Sequence, residues 1–229
     1  MDTNGCEMCG AELIIACVLW RGAFRDRNYD ATWVVKLRNM IRRHLSVQHR
    51  FVCLTNTEIF GIDTIQLTGR HEGWWAKMEL FRVSAISRNP VLYFDLDLLI
   101  VDSITELALY PKLHRSAFCL LPQMGPASRA KGMVGRFNSS VMYFEPGIWS
   151  DSIWKQFDKN PEYKTIYRGD QDFLGDCVPS AATYPKDWFL KMRDCPQSGP
   201  PEGIKIVMGN PIKPDEAAKK FEWARKIWQ

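Results

Sequence analysis

Apolar residues in the first half of this chain fall into short, almost continuous runs. Residues 13–20 (LIIACVLW) and 91–94 (VLYF) contain no charged side chain, which is typical of strands buried on both faces of a parallel sheet. The predicted strands are 13–20, 50–55, 64–67 and 91–94, and the predicted helices are 31–45 and 73–87. This alternation predicts an α/β fold with a mixed, mainly parallel central sheet flanked by helices.

The second half of the chain has a less regular pattern. The predicted strands are 116–121, 139–144 and 204–208, and the predicted helices are 149–157, 171–177 and 215–228. Residues 196–203 (PQSGPPEG) are rich in Pro and Gly and predict a loop. Because no repeat and no long linker interrupts the sequence, we expect one domain over residues 1–229, with residues 1–12 as a flexible N-terminus.

The composition is that of a globular protein, with 46% hydrophobic and 24% charged residues. This balance excludes a disordered, collagen-like or coiled-coil chain. The 30 Lys and Arg residues against 26 Asp and Glu residues leave a net charge of +4, too small by itself to indicate a nucleic-acid partner. No apolar stretch reaches the roughly 18 residues of a membrane span, and the acidic N-terminus is unlike a signal peptide. We therefore expect a cytoplasmic location.

Two carboxylates, Asp95 and Asp97, follow directly after the apolar run 91–94. Along an extended backbone both side chains project to the same side. Ligands of open parallel sheets bind outside the carboxyl ends of the strands. Paired carboxylate oxygens there suit Mg²⁺ or Mn²⁺ carrying a diphosphate. The alternative is that one Asp caps the following turn and the other is solvated.

Four segments of this sequence resemble motifs of the GT-A glycosyltransferases, especially those of family 8. They are, in family order, 73–82 (GWWAKMELFR), 91–101 (VLYFDLDLLIV), 137–144 (FNSSVMYF) and 169–174 (GDQDFL). The resemblance extends over about residues 13–214. It implies a single Rossmann-like GT-A domain and a metal-dependent, retaining transfer of a sugar from a nucleotide-sugar, usually a UDP-sugar.

The resemblance also implies roles for individual residues. Asp95 and Asp97 would bind Mn²⁺ or Mg²⁺, with Asp95 also facing the donor sugar. The other implied donor-binding residues are Trp20, Arg21, Tyr29, Lys77, Asp172 and Lys213. We expect Tyr29 to stack on the base and Lys77 to lie near the donor.

The implied catalytic residues are Asp170, Gln171 and Asn138. The family has no agreed protein nucleophile, so Asp170 and Gln171 are candidates for binding the sugar or stabilising an oxocarbenium-like centre. The alternative for Asp170 is an N-terminal helix cap. Ser140 stands where family members more often have Gly.

The sequence departs from the family near its end. The family commonly places a third metal ligand, a His, in the segment that corresponds to 206–214 (IVMGNPIKP), but no His follows His114 here. Either Met208 or Asn210 takes that place, or the cation has only Asp ligands and water. Since a Met sulfur is a poor ligand for Mg²⁺ or Mn²⁺, we expect Lys213 to take more of the phosphate charge.

Positive charge is concentrated in one segment. Residues 21–50 hold eight Lys and Arg against two Asp, a balance of +6. The simplest interpretation is a solvated helix face. The alternative is a contact surface for an acidic acceptor, such as DNA with hydroxymethylated bases, or for an anionic membrane.

The acceptor itself is undetermined, and a glycan, a protein or a modified DNA base is compatible with the sequence. Two other functions stay open. A sugar-phosphate nucleotidyltransferase would use a similar sheet and acidic site, but its Gly-rich loop after the first strand is poorly matched. A non-catalytic carbohydrate-binding protein would usually be all-β, unlike this pattern.

Overall fold

A seven-stranded sheet forms the centre of the computed structural model, which describes residues 12–23, 29–82, 86, 88–124, 137–209 and 211–229. Its strands are β1 (Leu13–Leu19), β2 (His49–Thr55), β3 (Asp63–Gln66), β4 (Val91–Phe94), β6 (Phe118–Pro122), β7 (Phe137–Phe144) and β8 (Ala182–Thr183). A smaller sheet contains β5 (Leu98–Ile100), β9 (Phe189–Lys191) and β10 (Ile206–Met208). Nearly all of the segment 1–12, expected to be a flexible N-terminus, lies outside the described residues.

The large sheet has the strand order β3-β2-β1-β4-β7-β6-β8. Its first four strands are mutually parallel, and β6 and β8 are parallel. The strand β7 runs antiparallel to both of its neighbours, β4 and β6. The prediction of a mixed, mainly parallel sheet is confirmed.

Helices cover both faces of this sheet. They are α1 (Ala31–His44), a 3₁₀ helix (Gly73–Phe81), α2 (Thr105–Leu113), α3 (Ile148–Lys159), α4 (Tyr163–Ile166), α5 (Asp170–Cys177), α6 (Pro214–Lys220) and α7 (Glu222–Ile227). Alternate residues of β1 point to opposite faces: Ile15 packs in the cluster with α1 and α7, and Ile14 in the cluster with the 3₁₀ helix, α3 and α5. The apolar run is therefore buried on both sides.

The basic helix α1 begins at Asp30, whose carboxylate accepts a hydrogen bond from the Thr32 N–H at 2.8 Å. Several of its cations contact the protein itself. The guanidinium of Arg43 donates to the Ile227 carbonyl at 2.5 Å, and the Lys36 ammonium lies 5.1 Å from the ring centre of Trp228. Some of the cations predicted to be solvated therefore hold the C-terminal helix α7 against α1.

Two predicted helices differ from the structure. Of the predicted helix 73–87, residues 73–81 form a 3₁₀ helix that ends at Phe81, since Arg82 has an extended backbone and its guanidinium donates to the Gln66 carbonyl at 2.9 Å. Residues 83–85 and 87 of that prediction lie outside the described residues. The predicted helix 215–228 is two helices, since Phe221 is extended between α6 and α7. That break turns the chain so that Ala217 and Trp228 are both buried.

Candidate active site

A cavity of about 210 Å³ opens at the carboxyl ends of β1 and β4. This edge is where open α/β sheets bind ligands. The sequence-predicted site residues that line it are Trp20, Tyr29, Lys77, Asp95, Asp97, Asp170 and Gln171. The structure therefore brings together residues from the β1 end, the 3₁₀ helix, the β4 end and α5.

Backbone hydrogen bonds fix the main chain of both aspartates at the strand end. The Asp95 N–H donates to the Ser140 carbonyl at 2.8 Å, which extends the contact between β4 and β7. The Asp97 carbonyl accepts from the Gly209 N–H at 2.8 Å. A β-carbon at position 209 would lie only 2.5 Å from that carbonyl oxygen, so this close approach requires glycine. The strand end is thus tied to β7 on one side and to the segment after β10 on the other.

A buried ion cluster lies at the base of the cavity. The Lys77 ammonium is 2.9 Å from Asp95 Oδ1 and 3.0 Å from Asp170 Oδ2. The Ser139 hydroxyl donates to Asp170 Oδ2 at 2.6 Å and lies 3.2 Å from the same ammonium. The Tyr93 hydroxyl donates to Asp95 Oδ1 at 2.5 Å. Every charge of this cluster therefore has a partner at hydrogen-bond distance.

These contacts set the protonation states of the cluster. Burial acts against the charged form of Lys77, but the carboxylates of Asp170 and Asp95 outweigh it and raise the pKa of this ammonium above its usual value. Burial likewise opposes ionisation of Asp95, and Lys77 and Tyr93 outweigh it, so the pKa of Asp95 is lowered. Lys77 is charged and Asp95 is ionised at neutral pH.

Asp97 belongs to a second ion pair, whose lysine is more accessible than Lys77. Its Oδ2 atom contacts the Lys213 ammonium and accepts a hydrogen bond from the Tyr29 hydroxyl at 3.1 Å. The side chains of Lys213 and Asp97 are 21% and 18% exposed, against 8% for Lys77. The Tyr29 ring, expected to stack on a base, lines the cavity and also meets the edge of Trp33 at a centroid distance of 4.7 Å.

Four predicted residues do not line the cavity. They are Arg21, Asn138, Asp172 and Lys213, the last of which contacts the lining residue Asp97. The Arg21 guanidinium donates to the Tyr29 carbonyl at 2.7 Å, and so holds the backbone of a lining residue. The Asn138 side-chain oxygen accepts from the Ser140 N–H at 2.9 Å within β7. Asp172 lies on α5, where burial raises its pKa although Arg168 opposes the shift.

Asp170 is the first residue of α5, and the residue before the helix, Gly169, makes no side-chain cap. The alternative role of Asp170 as a helix cap is therefore wrong, since its carboxylate bonds to Lys77 and Ser139 instead. Tyr93 was missed from the sequence, although its position two residues before Asp95 on the same side of a strand was a usable signal.

The described residues supply no third protein ligand for a cation beside Asp95 and Asp97. Met208 ends β10, pairs with Leu98 and is buried in the core, and Asn210 lies outside the described residues. Within the ranges that the structure describes, no group of three or more His, Cys, Asp or Glu side chains is placed to hold a metal ion. The carboxylates of Asp95 and Asp97 are the oxygen donors that the strand end supplies.

No protein-family model matches this chain, and no curated protein sequence does. Solved structures do match. The galactosyltransferase LgtC, in complex with donor and acceptor sugar analogues, is 18% identical, with a TM-score of 0.61 over 94% of this chain and 96% of that one. The apo form of the glycosyltransferase GlyE from Streptococcus pneumoniae TIGR4 is 16% identical, with a TM-score of 0.62 over 89% of this chain and 56% of that one.

These similarities show the fold: the chain has the GT-A architecture of these glycosyltransferases. The prediction of a GT-A fold from four short motifs is confirmed, whereas membership of family 8 stays a prediction. Among the described residues, no helix combines the length and apolar character needed to cross a membrane.

Proposed function

We propose that this protein is a glycosyltransferase that moves a sugar from a nucleotide-sugar, a UDP-sugar, to an acceptor with retention of configuration. The observation that carries the proposal is the convergence of Asp95, Asp97, Asp170 and Lys77 on one cavity at the carboxyl edge of a GT-A sheet, with Lys213 paired to Asp97 at its border. Acidic and basic groups in one small cleft suit a ligand that has both sugar hydroxyls and a diphosphate.

The charges of the site fit a divalent cation, Mn²⁺ or Mg²⁺. Three carboxylates and two ammonium groups leave a net charge of −1 in the cleft, so a diphosphate would add negative charge to a site that is already negative. Mg²⁺ is commonly held by one or two carboxylates together with substrate phosphates, which is what Asp95 and Asp97 offer. When bound, the cation would neutralise the diphosphate and assist its departure.

The other residues of the site would orient the carboxylates and bind the donor sugar. Tyr93 and Lys77 hold Asp95 at Oδ1, a hydrogen bond from the Ser140 side chain adds to this hold, and the same ammonium orients Asp170. Gln171 lines the cavity from the first turn of α5, next to Asp170. We assign Gln171 and the Asp170 carboxylate to the donor sugar, where positive charge develops in an oxocarbenium-like transition state. An active-site Gln-to-Glu variant of LgtC has been solved, which supports testing Gln171 first.

The proposal is tested by ligand binding and donor hydrolysis. Thermal unfolding is measured with UDP, GDP, UTP and free sugars, each with and without Mn²⁺, and UDP-sugar hydrolysis is measured with EDTA and with added Mn²⁺. We expect UDP with Mn²⁺ to stabilise the fold most. Asp97→Ala should abolish the rise in unfolding temperature that UDP and Mn²⁺ cause. Asp187→Ala, which removes an exposed carboxylate elsewhere, should keep this rise. A shift with UTP and a sugar phosphate alone would favour a nucleotidyltransferase, and a shift with free sugar alone a binding protein.

The acceptor is approached by screening. Glycans, proteins and DNA with hydroxymethylated bases are offered with a set of UDP-sugars, and products are detected by mass spectrometry. If the basic residues of α1 receive an acidic acceptor, transfer should fall steeply with salt concentration. Transfer to a neutral glycan that is insensitive to salt would contradict that role of α1.

A further inference from the structure

The ammonium of Lys213 contacts one oxygen of Asp97, a carboxylate that a metal ion at the strand end would need. Lys213 Nζ contacts Asp97 Oδ2, and the Tyr29 hydroxyl donates to the same atom. Asp97 also lines the cavity, where a bound cation would have to meet it. Two positive charges on one carboxylate repel each other, so Lys213 and a divalent cation cannot share Asp97 without loss of binding energy.

We propose that Lys213 competes with the divalent cation for Asp97, and that the diphosphate of the donor ends the competition by drawing the ammonium away. This inference rests on the proposed function. Without a donor, Asp97 is neutralised by Lys213 and binds the cation weakly. With a donor, Lys213 moves to the phosphate oxygens, and Asp97 becomes available to the cation. Metal and donor therefore bind cooperatively.

The backbone around Lys213 allows this exchange without movement of the loop. Gly209 is hydrogen-bonded to the Asp97 carbonyl, and α6 begins with Pro214 directly after Lys213. Both ends of the short segment are thus fixed beside the site. The flexible four-carbon stem of lysine lets its ammonium change partners while its backbone stays in place.

The exchange takes place at Asp97 and not at Asp95. Lys77 is buried and contacts Asp95, Asp170 and Ser139 at once, and removing it would leave the buried Asp170 and the partly buried Asp95 without their cation. Among the described residues, Lys213 pairs with the carboxylate of Asp97 alone, and its side chain is 21% exposed, so it leaves at a smaller cost. The two lysines of the cleft therefore have different roles: Lys77 is fixed, and Lys213 is exchangeable.

Cooperative binding is reciprocal, which gives the proposal a thermodynamic signature. UDP must tighten Mn²⁺ binding by the same factor by which Mn²⁺ tightens UDP binding. Removal of the Lys213 charge should tighten the binding of Mn²⁺ alone, because the competitor is gone. The same change should reduce the coupling factor, because part of it comes from the displacement of Lys213.

The experiment measures free aqueous Mn²⁺ by electron paramagnetic resonance, with and without UDP. The proteins are wild type, Lys213→Met, Lys213→Arg and Lys219→Met, the last removing an exposed charge from α6. Without UDP, Lys213→Met should bind Mn²⁺ about fivefold more tightly than wild type. In the same variant, the factor by which UDP tightens Mn²⁺ binding should fall by about fivefold as well. Lys213→Arg and Lys219→Met should resemble wild type, and circular dichroism checks that each variant is folded.

Equal or weaker Mn²⁺ binding by Lys213→Met, in a protein that binds UDP, overturns the competition and leaves the proposed transferase intact. If neither Mn²⁺ nor UDP binds to wild type, the proposed function itself fails. Should Lys213→Met not fold, Lys213→Gln takes its place. The wild-type protein alone can also contradict the proposal. It does so if UDP leaves Mn²⁺ binding unchanged, which is a coupling factor of one.

Discussion

The Lys77 ammonium lies 3.0 Å from the Asp170 carboxylate, although one residue belongs to the 3₁₀ helix and the other to α5. The same ammonium is 2.9 Å from Asp95 at the end of β4. One buried cation thus joins three separate elements at the base of the cleft. Its removal would affect both the fold and the site.

Lys77→Met should destabilise the protein by about 3 kcal/mol or more, because the buried Asp170 and the partly buried Asp95 lose their cation. Donor hydrolysis should fall by about 100-fold or more, because Asp95 and Asp170 lose their orientation. Urea unfolding and initial rates check the two effects. Lys112→Met, at an exposed position of α2, is the control. Adding Asp170→Asn to Lys77→Met should restore part of the stability, and no recovery would argue against direct pairing.

Acid should weaken the fold through Asp95. Its pKa is lowered from 3.8, so its stabilising contribution is present above that pH and is lost as the pH falls through the lowered value. The free energy of unfolding of wild type should therefore decrease in this acid range. The plot of unfolding free energy against pH should be flatter for Asp95→Asn than for wild type. Parallel plots for the two proteins would show that protonation of Asp95 does not cause the loss of stability.

A second acid effect should come from His71, which is buried against Trp154 and Phe157. Burial, with the nearby charge of Lys164, lowers the pKa of His71 from 6.5 to about 4, although Asp158 opposes the shift. The unfolded chain then binds the extra proton between these values, so stability should decline as the pH falls from 6.5 to about 4.

Unfolding at pH 7 and pH 5 tests this effect in His71→Phe. An aromatic ring without a titrating nitrogen should remove that part of the pH dependence and still fill the space between Trp154 and Phe157. His114→Gln, at an exposed position, should keep the wild-type dependence. A wild-type slope in His71→Phe would mean that another group is responsible.

Gly22→Ala should weaken UDP binding by displacing Trp20. A β-carbon at position 22 would lie 2.1 Å from the Trp20 ring, which lines the cavity. The ring must therefore move when any side chain is added. Isothermal titration with UDP and Mn²⁺ should show a loss of about tenfold, the size of one lost aromatic contact. Gly175→Ala meets only an ordinary 3.7 Å contact with Phe137 and should bind UDP normally.

The sequence by itself determined the central sheet and the position of its acidic edge. The apolar runs of β1 and β4 are long enough to be recognised as buried strands, because burial on both faces removes every polar residue from them. Asp95 and Asp97 follow β4 directly, so a local pattern placed both at the edge where ligands bind. The motif 169–174 around Gln171 could likewise be recognised, because its residues are consecutive in the sequence.

The tertiary structure alone decided which charges meet and where two helices end. Lys213 and Asp97 are 116 residues apart, and Tyr29 and Asp97 are 68 apart. Their contacts join residues that are far apart in the sequence, and no local periodicity records such pairs. The same holds at Arg82 and Phe221, where an extended backbone ends the helix within a stretch that the sequence pattern predicts as continuous. Local burial patterns fix the elements, whereas the pairing of distant charges is fixed only when those elements pack together.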